Sequence, residues 1–248
     1  MFPPVNSRNK FCFIYVVYTL LVYGLQYSYT AILVTLGILI SYLRLITVLK
    51  IGQYLWAKGI FFLMGKRIHI RGRENINKHK KYLLIANHTS IYDIPAIMTI
   101  IPRIAWIGRK YLVDIFGFGH LLKKIHFVPI EPGQREKSRE SISRAIEHAQ
   151  VGLTVAIFPE GTRTVTGELG PFKRGFVHIM RSAGLDVLPI TLNGFFALKP
   201  KTRFHINPAA RLEIIIHPVL KQADLSPLPD AEILEIAENA VRENHRNC

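Results

Sequence analysis

From Phe11 to Leu43 the chain carries no charged side chain. A stretch this apolar has to leave water, into a lipid bilayer or into a core, and that requirement conditions the rest of the fold. Within it, FCFIYVVYTLLVYGL runs for 15 residues, QYSYT interrupts, and AILVTLGILISYL follows before Arg44. Each run falls short of the ~20 residues that a perpendicular spanning helix needs. The two therefore predict a helical hairpin that either inserts shallowly or crosses twice. A secretory signal peptide is the competing reading, because Arg8 and Lys10 precede the first run, but no small-residue cleavage site is evident and the second run would stand unexplained. Basic residues on both sides (Arg8 and Lys10; Arg44 and Lys50) place both ends on the cytoplasmic face of a membrane, expected to be a bacterial inner membrane.

From about residue 66 the texture changes to short apolar runs alternating with amphipathic or turn-rich stretches, the signature of an α/β domain. Strands are predicted near 67–71, 82–86, 104–107, 126–130, 153–158, 187–192 and 211–217, and helices near 94–101, 110–119, 136–149, 173–183 and 230–243. The stretch REKSRESISRAIEHAQ spaces Ile142, Ala145, Ile146 and Ala149 as one face of a helix that covers a sheet. A length of 248 residues suits one sizeable domain with an appended element.

The 32 Lys and Arg against 17 Asp and Glu give a formal charge of +15, which fits nucleic acid, phosphate-bearing substrates or an anionic lipid surface. Nucleic acid is set aside, because the basic residues are spread along the chain and no recognised motif interleaves them with stacking aromatics. Cys12 and Cys248 are the only cysteines. They allow neither a disulfide framework nor a cysteine zinc site. His69, His120, His126, His178, His205 and His217 occur singly, without metal-ligand spacing, so no metal is expected.

Two stretches carry chemistry. In IANHTSIYD, His88 and Asp93 are five apart, ~140° around a regular helix, so they meet only across a turn. The run YLLIA before them and Pro95 after them supply a strand-to-helix turn, in which Ser90 and Asp93 also have capping-box spacing. In FPEGTR, an apolar strand ends in a turn holding Glu160, Gly161, Thr162 and Arg163. Loops at the C-terminal ends of α/β strands are where such sheets place ligands.

The order N-H-x-x-x-x-D, then Gly108-Arg109-Lys110, then FPEGTR with Phe172-Lys173-Arg174-Gly175, then Val187-Leu188-Pro189-Ile190 resembles the glycerolipid acyltransferases, in particular the 1-acylglycerol-3-phosphate (lysophosphatidate) acyltransferase family. The resemblance covers roughly residues 66–220. It implies an α/β fold with a mixed, mostly parallel sheet flanked by helices, preceded by the N-terminal membrane hairpin (residues 1–60) and forming a catalytic domain over 61–248. It implies transfer of an acyl chain from acyl-CoA or an acyl carrier protein, without a cofactor, to the sn-2 hydroxyl of lysophosphatidate. Membrane lipids, the lysophospholipid acceptor and the donor are the implied partners.

In that reaction a histidine suits the base that accepts the hydroxyl proton, and a carboxylate orients it. His88 and Asp93 take these roles. Glu160, Gly161, Thr162 and Arg163 resemble the acceptor-binding block, with Arg163 able to fork onto phosphate and Glu160 able to bind glycerol hydroxyls or position neighbours. Arg109, Lys110, Lys173 and Arg174 add candidate phosphate contacts. The family commonly carries an arginine after the apolar run of its intermediate block, assigned to the acceptor phosphate. Here Ile130 is followed by Glu131-Pro132, with no arginine until Arg135. Either Arg135 substitutes, or Arg109, Arg163 and Arg174 bind the phosphate alone. A different lysolipid acceptor and a non-catalytic lipid-binding module are the alternatives. Asn87-His88-Thr89 matches a glycosylation sequon, dismissed for a buried turn facing the cytoplasm.

Overall fold

The computed structural model describes residues 5–246 except 44, 102, 103, 132 and 134. Arg44 and Cys248 lie outside the described residues, as do the side chains of Arg8, Lys10, Cys12, Lys50 and Arg135. The chain runs α1 (Val5–Tyr42), α2 (Ile46–Leu63), β1 (Ile68–Arg71), β2 (Tyr82–Ala86), α3 (Asp93–Met98), β3 (Ile104–Arg109), α4 (Phe118–Lys124), β4 (Val128–Ile130), α5 (Arg135–Gln150), β5 (Thr154–Ile157), α6 (Gly175–Ala183), β6 (Asp186–Asn193), α7 (Phe195–Leu198), β7 (Leu212–Ile216), α8 (Gln222–Leu225) and α9 (Asp230–Arg242).

The strands form one sheet in the order β1-β7-β6-β2-β5-β3-β4, parallel throughout except where β6 meets β7 antiparallel. YLLIA is buried at every position, as a strand with helices on both faces requires. Tyr82, Leu84 and Ala86 join a core with Ala57, Ile60 and Phe61 of α2 and with Ala96 and Ile97 of α3. Leu83 and Ile85 face the other way, into a core built from Ala145 of α5, Phe176 and Met180 of α6, and Ile233 and Val241 of α9. The edge strand β1 alternates exposed and half-buried positions instead.

All seven predicted strands are present, and two helical expectations are corrected. The first is the hairpin. α1 is a single helix through QYSYT that ends at Tyr42, and α2 begins at Ile46. The polar interruption is the seam along which α1 meets its neighbours: Gln26 donates to Ile60 O at 3.0 Å and accepts from Tyr92 Oη at 2.9 Å. Tyr29 Oη donates to Leu55 O at 2.8 Å, and Thr30 Oγ1 accepts from Trp56 Nε1 at 3.1 Å. Polar groups satisfied in this way need not end a helix. Over Phe13–Tyr42 the helix is long and apolar enough to cross a membrane.

The second correction concerns 110–119. Lys110–Asp114 is a 3₁₀ turn, and α4 begins only at Phe118, after Gly117 with φ +73°. A Cβ at Gly119 would lie 1.9 Å from Val113 O, so the backbone doubles back too closely for a continuous helix.

Candidate active site

The C-terminal ends of β2, β5 and β6 open at the same end of the sheet, because these strands are mutually parallel or linked through β2. The loop after β2 carries the His88 turn and the loop after β5 carries FPEGTR. Asn87 ties the first loop to the sheet. Its Nδ2 donates to Leu192 O at 2.9 Å and its Oδ1 accepts from Leu192 N at 2.7 Å, so a buried side chain continues the β2–β6 ladder one residue past the strand.

Beyond Asn87 the chain bends around the Asp93 carboxylate, which is wholly buried. Asp93 Oδ2 accepts from Thr89 N at 2.7 Å, Ser90 N at 2.8 Å and His88 Nδ1 at 2.8 Å. Half of the expected capping box therefore exists, the Asp93 contact to the Ser90 amide. The other half does not: Ser90 Oγ donates to Lys199 O at 2.7 Å. With a carboxylate as its partner, Nδ1 carries the proton, and Nε2 is left with a lone pair. The His88 side chain retains 17% exposure, so that lone pair is reachable. Its ring lies flat on Phe158, with centroids 3.9 Å apart and planes at 9°, and Phe158 stacks in turn on Trp106 at 5.6 Å. The imidazole is held by a hydrogen bond in its plane and a ring across its face.

Glu160 joins the two loops. Its Oε1 accepts from His88 N at 2.6 Å and its Oε2 from Gly170 N at 3.0 Å. Thr164 N completes the junction by donating to His88 O at 2.9 Å. Both Glu160 carboxylate oxygens are thus engaged by backbone amides. Burial pushes the Glu160 carboxyl up from 4.5 to about 7 against the opposing pull of the two amides.

Gly161 sits at φ +73°, and the Lys173 ammonium lies 2.7 Å from where a Cβ would be. Lys173 thus covers the FPEGTR turn, and Thr162 is exposed beside it. Arg163 is half-buried. Burial lowers the Lys199 pKa, and the Arg163 charge adds to the effect. Arg174 is exposed at the start of α6, where its carbonyl accepts from Val177 N and His178 N. Arg109 and Lys110 are not drawn into the His88 cluster. Arg109 ends β3 and Lys110 opens the 3₁₀ turn after it, with β5 between β3 and β2, and Lys110 Nζ is engaged by Asp114 at 3.3 Å and Glu131 at 3.9 Å.

Three structural features around the site were not assigned from the sequence: the bridge made by Asn87, the Phe158 ring under His88, and the cations Lys199 and Arg203. The first two lie inside motifs already singled out. The third lies in a loop with no pattern of its own.

Residues 67–193 match the family model described as Acyltransferase. Among characterised proteins, the chain is 34% identical over 154 residues to a 1-acyl-sn-glycerol-3-phosphate acyltransferase of Cocos nucifera, covering 60% of this chain and 49% of that protein. It is 29% identical over 177 residues to 1-acyl-sn-glycerol-3-phosphate acyltransferase alpha of Homo sapiens, covering 68% of this chain and 60% of that one. The chain thus spans about half the length of the curated relatives it matches. Among solved structures, the 1-acyl-sn-glycerophosphate (LPA) acyltransferase PlsC of Thermotoga maritima has the same fold, with a TM-score of 0.78 at 24% identity over 94% of this chain and 96% of that one.

Proposed function

The chain belongs to the acyltransferase family, and from that premise we propose that it acylates the sn-2 hydroxyl of lysophosphatidate with an acyl thioester, giving phosphatidate. The observation that carries the reading is the His88–Asp93 pair, with Nδ1 committed to a buried carboxylate and Nε2 open. His88 Nε2 takes the proton of the acceptor hydroxyl as its oxygen bonds to the thioester carbonyl carbon. The C–S bond then breaks and the proton passes to the departing thiolate. Asp93 keeps the tautomer and stabilises the imidazolium between the two transfers. The nucleophile is the substrate's own oxygen, so no acyl-enzyme is required. Acyl-CoA and an acyl carrier protein both fit as donors, and the reaction as written needs no cofactor.

The lipid acceptor accords with α1. Phe13, Leu21, Leu25, Ile32 and Leu39 are exposed along it, yet both halves of the helix are fastened to the same domain. Thr19 Oγ1 accepts from Ile206 N at 2.9 Å, and Ser41 Oγ contacts His120 Nε2 at 3.2 Å. A helix so held at both ends lies along the domain and dips into one leaflet. The cytoplasmic leaflet, as of a bacterial inner membrane, is the setting we infer from the basic flanks.

A second reading is favoured by one observation. In the sequence Pro132 stands where the family's phosphate arginine is expected, and Glu131 before it is occupied by Lys137 at 2.6 Å, which would suit a lysolipid with another headgroup. The test is acyl transfer to lysophosphatidate in membranes containing the intact protein and His88→Ala at matched expression. Transfer by the intact protein that falls at least about a hundredfold in the variant is expected. Equal activity would remove His88 from the mechanism, and transfer only to another lysolipid would favour the second reading.

A further inference from the structure

The loop after α7 presents cations that no motif announced. Two hydrogen bonds fasten it and the FPEGTR loop to one short segment, residues 88–90. Thr164, next to Arg163, donates to His88 O at 2.9 Å, and Lys199 O accepts from Ser90 Oγ at 2.7 Å beside an isolated antiparallel bridge between Ser90 and Pro200. The helix α7 that precedes this loop also approaches the FPEGTR loop, since the Phe196 ring lies 3.1 Å from where a Cβ of Gly167 would be.

Within the second loop, Lys199 Nζ donates to Pro200 O at 3.2 Å and to Arg203 O. Arg203 Nε donates to His205 O at 3.1 Å, and its Nη2 to Leu198 O at 3.0 Å and to Ala197 O. Both partner only carbonyls. Among the described residues no carboxylate lies within ion-pair distance of Arg163, Lys199 or Arg203. Three half-buried cations are thus gathered with no counter-charge, an arrangement that an anion would relieve.

We propose that Lys199 binds the phosphate of the acceptor together with Arg163, with Arg203 as the positioning residue that holds the loop presenting it. The inference rests on the lysophosphatidate reading and supplies a cation for the missing arginine after Ile130. In the acceptor, the hydroxyl to be activated sits on the carbon adjacent to the one bearing the phosphoester. Its phosphate must therefore lie within a side chain's reach of His88, and the segments carrying Arg163 and Lys199 are fastened to the His88 turn at His88 O and Ser90 Oγ. Burial, together with Arg163 and Arg203, lowers the Lys199 pKa, the sense expected of a cation waiting for an anion.

The test compares the full chain with Lys199→Gln, which keeps a donor for the loop carbonyls, and Lys199→Arg, which restores the charge. KM for lysophosphatidate is measured at saturating donor, and retention on phosphatidylcholine vesicles containing phosphatidylglycerol is measured alongside. The proposal expects KM for lysophosphatidate to rise at least about tenfold in the Gln variant. It further expects partial recovery in the Arg variant, with donor KM, melting temperature and vesicle retention unchanged. An unchanged acceptor KM overturns it and leaves Lys199 as a loop stitch. A loss of vesicle retention in step with KM overturns it in favour of bilayer headgroups. A rise in KM with a lowered melting temperature and no recovery in the Arg variant also overturns it, as a folding effect. If the intact protein transfers nothing to lysophosphatidate but acylates another lysolipid, the functional reading has failed and the phosphate site fails with it.

Discussion

At the scale of single residues, the site depends on two buried carboxylates with different tasks. Asp93 accepts two amides and the imidazole. Glu160 accepts two amides but is pushed up to about 7 by burial. The folded protein therefore holds the Glu160 proton more tightly than the unfolded chain does. The stability this contributes is complete below pH ~4.5 and is lost as the pH climbs through about 7, on the order of 3 kcal/mol over the window. Glu160→Gln cannot titrate. Melting temperatures at pH 5 and pH 8 should show the intact protein losing several degrees relative to this variant at the higher pH. A gap of the same size at both values would mean that the carboxylate stays ionised throughout. Both motifs were legible because their chemistry is local, a turn of seven residues and a turn of six. That Glu160 faces backbone amides was not legible, since its partners are 72 and 10 residues away.

At the scale of elements, the strands were readable from their apolar runs because a doubly covered strand must be apolar throughout. The helices at the N-terminus were readable only in part. QYSYT looks like a break when the neighbours are unknown, yet Gln26, Tyr29 and Thr30 are satisfied by α2 and α3. The same seam explains Gly59, where an added Cβ would lie 2.4 Å from the Tyr29 ring. Gly59→Val should force α1 and α2 apart at a cost of about 1–3 kcal/mol, read as a lowered melting temperature in detergent. An unchanged melting temperature would show that the two helices do not pack closely here.

At the scale of the whole molecule, α1 is at once part of the core and an apolar face turned outward. Val22 is buried with Ile60 and Phe61, whereas Leu21 and Ile32 are exposed. Residues 21 and 32 share one side of the helix, being eleven apart. Leu21→Glu with Ile32→Glu should leave the fold nearly unaffected, since exposed positions tolerate change within about 0.5 kcal/mol. It should shift the protein from the membrane pellet toward the supernatant on centrifugation, because each such side chain is worth about 1.5–3 kcal/mol in an apolar phase. High salt acting on the unaltered protein should weaken surface attraction without releasing it, and clean release by salt alone would refute anchoring through α1.

What could be read from residue order was whatever depends on near neighbours: apolar runs that become strands, turns that let His88 and Asp93 meet, and a charge-free stretch that must leave water. These are settled by periodicity, backbone stereochemistry and transfer from water, which act over a few residues. Three other features came only from packing: the unbroken course of α1, the inward aim of Glu160, and the convergence of Arg163 with Lys199 and Arg203. Each depends on which distant segment supplies the partner for a polar group. Residue order alone does not say which segment will be there.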